Sequence, residues 1–173
     1  ARQLAAQLDQ ENTRRQEEEA AVLSAAKKIV TTDPEIGART ILVVAGDGWH
    51  RGIIGIVASK LVDAFHRPAI VLSIEGDVAH GSCRSIPGFD LLSALERCAP
   101  YFERFGGHKQ AAGVTMEAAR IKALRLAINE VADELLGPDD LMPRITIDAA
   151  LGFKEITGAV TTSIASLAPF GAG

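Results

Sequence analysis

The sequence predicts an α/β fold: a mixed β-sheet with helices packed on it, preceded by a long helix and followed by the start of a second, β-rich unit. Three observations predict it. Ile41-Leu42-Val43-Val44-Ala45 and Ala69 to Ile74 are short runs without polar alternation, which suits strands buried on both faces. Between them, Ile53, Ile56, Val57, Lys60, Leu61 and Ala64 recur at helical spacing. Farther on, Glu117 to Leu136 is a strongly periodic amphipathic stretch, a second helix to cover the sheet.

The elements follow in order. From Arg2 to about Val30 the residues favour helix, with Leu4, Leu8, Ala21, Val22, Ala25 and Ile29 as a broken apolar stripe. It reads either as a connector from something upstream or as a packed terminal helix. Thr32-Asp33-Pro34 ends it, because proline disfavours a helical residue before it. Gly46-Asp47-Gly48 is a turn after the first strand, and Gly52 to Phe65 the helix that follows, ended by Arg67-Pro68. Glu75-Gly76-Asp77 turns the second strand into a more polar one, Val78 to Ile86, as a hairpin. After Pro87-Gly88, Asp90 can cap a helix from Leu91 to Cys98. Phe105-Gly106-Gly107-His108 reads as a glycine loop and Ala111 to Met116 as a strand. Gly137-Pro138 stops the last helix, and Arg144-Ile145-Thr146-Ile147-Asp148 alternates like a half-exposed strand. The expected division is a connector helix over 1–31, a domain over 32–137 and the start of another over 138–173. Both ends read as cuts in a longer protein.

Composition narrows the classes. The chain has 173 residues, 47% hydrophobic and 23% charged, enough for a compact domain with an appendage. No apolar run approaches a membrane span of roughly 18 residues. Two cysteines, Cys83 and Cys98, are too few for a disulfide framework, and the Gln- and Glu-rich start is no signal peptide, so a cytoplasmic protein is expected. A net charge of −4 argues against coating nucleic acid by bulk electrostatics. The stretch from His50 to Gln110 is the least acidic, with seven Lys and Arg against six acids and all four histidines.

Three segments there carry candidate chemistry. In Ala79-His80-Gly81-Ser82-Cys83-Arg84-Ser85-Ile86, the planar donor fork of Arg84 matches phosphate oxygens, and flanking hydroxyls can complete an anion cradle. Ser82 and Arg84 would share a strand face, Ser85 joining only if the strand bends; the other reading is an edge strand with a solvated arginine. In Gly106-Gly107-His108-Lys109-Gln110, paired glycines permit close backbone approach while His108 and Lys109 add donors, unless this is a plain surface turn. At Asp47-Gly48-Trp49-His50-Arg51-Gly52, His50 and Arg51 sit where a helix start favours anions, and Trp49 is either a base-stacking platform or core. No P-loop, GxSxG, HExxH or CxxC pair occurs. Asp47 and His50 alone are too few for a metal site, and no cluster of carboxylates and histidines suited to metal-assisted phosphodiester hydrolysis is present.

Gly48 to Ala58, Gly81-Ser82-Cys83-Arg84-Ser85-Ile86-Pro87-Gly88-Phe89-Asp90-Leu91 and Arg104 to Gly113 together resemble, in order and spacing, the RecJ family of DHH phosphoesterases. The resemblance implies a DHH-associated domain up to Leu136, then the start of an oligonucleotide-binding fold that includes a Pro169-Phe170-Gly171 turn. It implies that the parent degrades single-stranded DNA from the 5′ end, with Mn²⁺ or Mg²⁺ held by an upstream DHH domain and none by this chain. Ser82, Arg84 and Ser85 then match the segment holding the 5′ phosphate, and Gly106, Gly107 and His108 the substrate-side loop. His108 would orient the scissile phosphate as metal-bound hydroxide attacks. The family usually has glycine at Cys83, so a side chain there either crowds the cradle or points away. The chain alone is expected to lack nuclease activity. Rival expectations are a parent that cleaves short oligoribonucleotides or cyclic dinucleotides, and a non-catalytic nucleic-acid-binding module.

Overall fold

A computed structural model of the chain describes residues 2–144 and 147–169. The chain divides after Pro143 into two compact units. The first contains α1 (Arg2–Thr32), a short α2 (Pro34–Gly37), β1 (Leu42–Asp47), α3 (Ile54–Phe65), β2 (Ala69–Glu75), β3 (Val78–Arg84), α4 (Leu91–Arg97), β4 (Arg104–Gly107), β5 (Ala111–Glu117) and α5 (Ile121–Leu135). The five strands form one mixed sheet in the order β1-β2-β3-β5-β4, with β1 and β2 parallel and the other pairs antiparallel. The α/β fold expected from the sequence is the one observed.

Each strand's sequence reflects what covers it. On one face, Leu42, Val44, Ala69 and Val71 pack with Ile54, Val57, Ala58 and Leu61 of α3 and Ala26 and Val30 of α1. On the other, Ile41, Val43, Ile70, Leu72, Ala79, Cys83, Val114 and Met116 pack with Leu91, Leu95, Leu124 and Ile128 of α4 and α5. Strands β1 and β2 are covered twice and are apolar throughout. In β5, Ala112, Val114 and Met116 are buried but Ala111, Gly113, Thr115 and Glu117 are not. The period-two pattern records that the α1–α3 layer ends before β5. One face of β5 and β4 is therefore open.

Local chemistry sets the boundaries. Asp33 accepts a hydrogen bond from the Glu35 amide and starts α2. Asp90 accepts one from the Ser93 amide, the N-cap anticipated for α4. The amphipathic helix begins at Ile121, after a 3-10 turn over Ala118–Arg120. Three expectations are corrected. Gly46 and Asp47 belong to β1, the turn starting at Gly48; α3 starts at Ile54 and not Gly52; and the glycine pair lies in edge strand β4 and not in a loop. Gly52 is drawn into a turn because its amide donates to His50 Nδ1, and Ile53 N donates to the His50 carbonyl.

The exposed edge of β1 is closed by α5. Asn129 Oδ1 accepts from Ile41 N at 2.8 Å while its Nδ2 donates to the Ile41 carbonyl at 3.2 Å. Arg125 Nε donates to the Val43 carbonyl at 3.2 Å, and partial burial lowers its pKa from the ordinary arginine value. A polar triad joins α1 to α3, where nearly buried Glu19 pairs with Lys60 of α3 and with Arg15 at 2.8 Å.

In the second unit, α6 spans Gly158–Ala165, capped by Thr157. The strand expected over 144–148 falls partly on Ile145 and Thr146, which lie outside the described residues, as do Phe170 and Gly171 of the expected turn.

Candidate nucleic-acid interface

Strand register assembles the site. On the open face, Arg84 stands opposite Ala111; Ser82 stands in a row with Gly113 and Gly106; and His80 in a row with Thr115 and Arg104. A cleft of about 520 Å³ lies over the last two rows and is lined by Arg51, His80, Ser82, Arg104 and Thr115 among others, with no carboxylate. At its edge, Arg84 Nη1 donates to Ser82 Oγ at 3.0 Å and to the Cys83 carbonyl at 2.9 Å. The guanidinium is thus bent back along the strand against the first turn of α3. There Gly55 makes the room: a Cβ would lie 3.0 Å from Arg84 Nη2 and 3.1 Å from Ser82 Oγ. Among the described residues no carboxylate forms an ion pair with Arg51, Arg84 or Arg104. Unpaired guanidinium groups beside a hydroxyl and the N-terminal turn of a helix favour a phosphate.

The predicted residues do not all meet. Ser85 is buried, and its hydroxyl donates to the Phe89 carbonyl at 2.8 Å; it clasps the turn after β3 and does not join the Arg84–Ser82 pair. Cys83 points to the opposite face, fully buried, and desolvation pushes its thiol up to about 12. It does not crowd the cradle. His50 is exposed and accepts from Gly52, lining a separate groove beside α1 with Trp49, whose half-buried ring packs on the α1–α3 core. Arg51 alone borders both hollows.

The second motif is bound to the first by backbone. Ser85 N donates to the Gln110 carbonyl at 2.9 Å and Leu91 N to the Lys109 carbonyl at 3.0 Å. His108 closes the β4–β5 turn through a two-way backbone pair with Ala111, its ring exposed. Lys109 Nζ reaches Asp90 at 3.6 Å; hydrogen bonding from the Ser93 amide, then the lysine charge, holds that carboxyl below its usual range. Gly107 adopts φ 153°, and a Cβ there would strike the Ala111 carbonyl oxygen at 2.3 Å, so this position needs glycine. Gly106 contributes bare floor. Sequence reasoning did not single out His80, Thr115 and Arg104, which line the cleft; the shared period-two phase of His80 with Ser82 was one signal for them.

The DHHA1 domain model matches residues 38–134, more than half of the chain and all five strands. The chain belongs to the DHHA1 family. Among relatives of this DHHA1 domain, the single-stranded-DNA-specific exonuclease RecJ of Bacillus subtilis is 42% identical over 173 residues, covering 99% of the chain and 22% of that protein. The Escherichia coli RecJ is 35% identical over 128 residues, covering 71% of the chain and 22% of that protein. The fold agrees as well: the crystal structure of Thermus thermophilus RecJ in complex with Mg²⁺ gives a TM-score of 0.79 at 28% identity, covering 97% of the chain and 25% of that protein. The chain spans about a fifth of the length of these curated relatives. This is a DHHA1 domain of the RecJ type. Among the described residues no three His, Cys, Asp or Glu side chains come together in a group that could hold a metal ion. Nor is any described helix long and apolar enough to cross a membrane.

Proposed function

We propose that this chain is the strand-holding part of a RecJ-type 5′→3′ exonuclease acting on single-stranded DNA. The observation that carries the reading is the pairing of Arg84 with Ser82 against α3, at the border of the open sheet face, where its charge forms no ion pair with a carboxylate among the described residues. A terminal 5′ phosphate presents two or three charged oxygens; the guanidinium fork and the Ser82 hydroxyl are donors of the right kind. Ser85 supports this grip indirectly, by fixing the turn that follows β3. The His108 turn, stapled to that segment by backbone hydrogen bonds, lies at the open edge where its exposed ring and Lys109 can meet the strand.

Hydrolysis, with Mn²⁺ or Mg²⁺, belongs in this reading to an upstream DHH domain of the parent. What this chain contributes is position: a strand anchored at its end has its first phosphodiester held at a fixed distance from the reacting groups. α1 is the connector to that domain.

The test pairs binding with turnover. The chain alone, incubated with Mn²⁺ and single-stranded DNA, is expected to release no nucleotide. In the parent, Arg84→Ala is expected to weaken capture of 5′-phosphorylated strands by about 1.5–3 kcal/mol, the worth of a charged hydrogen bond. Nucleotide release by the purified chain would overturn the division of labour. Preference of the parent for short oligoribonucleotides over long single-stranded DNA would overturn the substrate.

A further inference from the structure

The cleft over the His80 row begins at Ser82, the partner of Arg84, while Arg84 itself lines a neighbouring hollow with Asp63 and Gln110. Successive residues on one face of a strand are about 6.6 Å apart, so the His80 row lies about 13 Å from Arg84, and Arg104 lies two strands across from His80. Backbone positions this far apart suit successive phosphates of a strand. Between them the row of Ser82, Gly113 and Gly106 is almost bare, since a Cβ at Gly106 would meet nothing within 4 Å and one at Gly113 only the Gly81 carbonyl at 3.8 Å. Beyond that gap, Arg104 is exposed on β4 and His80 stands beside Thr115, its Nδ1 3.5 Å from Thr115 Oγ1. Arg51 enters the same cleft from the loop before α3.

Several arginines elsewhere on the domain do have acidic partners. Arg14, Arg15, Arg97 and Arg120 each pair with a glutamate on the outer surfaces of the helices or the turn before α5. Among the described residues, Arg51 and Arg104 form no ion pair and both line one hollow whose lining includes no carboxylate, although Arg51 also borders the groove that holds Glu18 and Glu75.

We propose that His80, Thr115 and Arg104, with Arg51, form a second phosphate subsite, which holds an internal phosphodiester of the strand whose 5′ end is gripped at Arg84. The subsite rests on the reading of Arg84 as the end-grip and adds the direction of travel: from the first turn of α3 across the glycine row toward β4. It makes binding depend on strand length, because a mononucleotide fills only the first position.

The 173-residue chain is titrated with two probes, thymidine 5′-monophosphate and 5′-phosphorylated (dT)6, by calorimetry at several salt concentrations. Arg104→Gln and the double variant His80→Gln with Arg104→Gln change side chains that are exposed or half-buried, so the fold is retained. Arg104→Gln is expected to weaken the hexamer roughly fivefold and to make its log K against log salt slope shallower by about 0.7, one phosphate contact on a single strand. Mononucleotide binding is expected to be unchanged, whereas Arg84→Ala weakens both probes. Wild-type affinity and slope for the hexamer in the double variant would overturn the subsite, as would equal losses on both probes. If phosphorylated and unphosphorylated hexamers bind the wild type alike while Arg104→Gln still weakens both, the end-grip at Arg84 fails and the second subsite stands.

Discussion

Replacing Asn129 by alanine is expected to cost more stability than any comparable polar change in the domain. The residue is 1% exposed and its amide serves both backbone groups of Ile41, which is itself fully buried at the outer edge of β1. Truncation leaves an N–H and a C=O without partners where water does not reach, at about 1–3 kcal/mol each. Its bond to the Arg125 carbonyl at 2.9 Å is lost too, although that carbonyl is part of a helix and less dependent on it. A total near 3 kcal/mol corresponds to a fall in Tm of about 10 °C for a domain of this size. Urea denaturation followed by Trp49 fluorescence and by far-ultraviolet circular dichroism measures it. Asn129→Asp separates the two bonds. A carboxylate still accepts from Ile41 N–H but opposes two carbonyls, and burial raises its pKa above the unfolded value. Its deficit should therefore be small in acid, where the neutral acid donates, and grow as pH rises through the raised folded pKa. A loss below about 1 kcal/mol for Asn129→Ala, with no pH dependence in the aspartate variant, would refute the claim that this amide seals the sheet edge.

Three further outcomes follow from the packing. Gly55→Ala should leave Tm unchanged or raise it, since alanine is the better helix former by up to about 1 kcal/mol, yet weaken binding of a 5′-phosphorylated strand because its Cβ displaces Arg84 from Ser82; wild-type affinity would show that this contact is not used. Cys83→Gly should lower stability by roughly 1 kcal/mol through the loss of a buried side chain and leave strand binding alone, measured by denaturation and by anisotropy; a changed affinity would place the thiol in the site. Glu19 has its carboxyl held below the usual range chiefly by the Lys60 hydrogen bond, so its contribution is complete above the unfolded glutamate pKa and is lost as pH falls through the lowered folded value. Lys60→Met should shift the acid release of α1 from α3, followed by Trp49 fluorescence, to higher pH; an unmoved transition would rule out the pair as the clamp.

Much of this was legible in the sequence because the relevant forces are local. Periodicity marks the helices, and the doubly apolar runs mark β1 and β2 because burial on both faces leaves no polar phase. Asp90 could be read as a cap since capping involves neighbours in sequence. The glycine pair could not be read as a strand: glycine has little strand preference, and β4 exists because Gly106 and Gly107 pair with Gly113 and Ala112 across a turn. Ser85 was uncertain for the same reason, as its fate depended on where β3 stops. Arg84 and Ser82 were visible by alternation, but the Arg104 side of the cleft depends on register between three strands, which no single segment encodes.

The proposed function turns on recognition of a terminal 5′ phosphate by Arg84. The most direct measurement is the ratio of affinities for 5′-phosphorylated and 5′-hydroxyl (dT)6, determined for the wild-type chain and for Arg84→Ala. The expected wild-type ratio is at least roughly tenfold and collapses toward unity in the variant. An equal ratio in both proteins, whatever their absolute affinities, would contradict it.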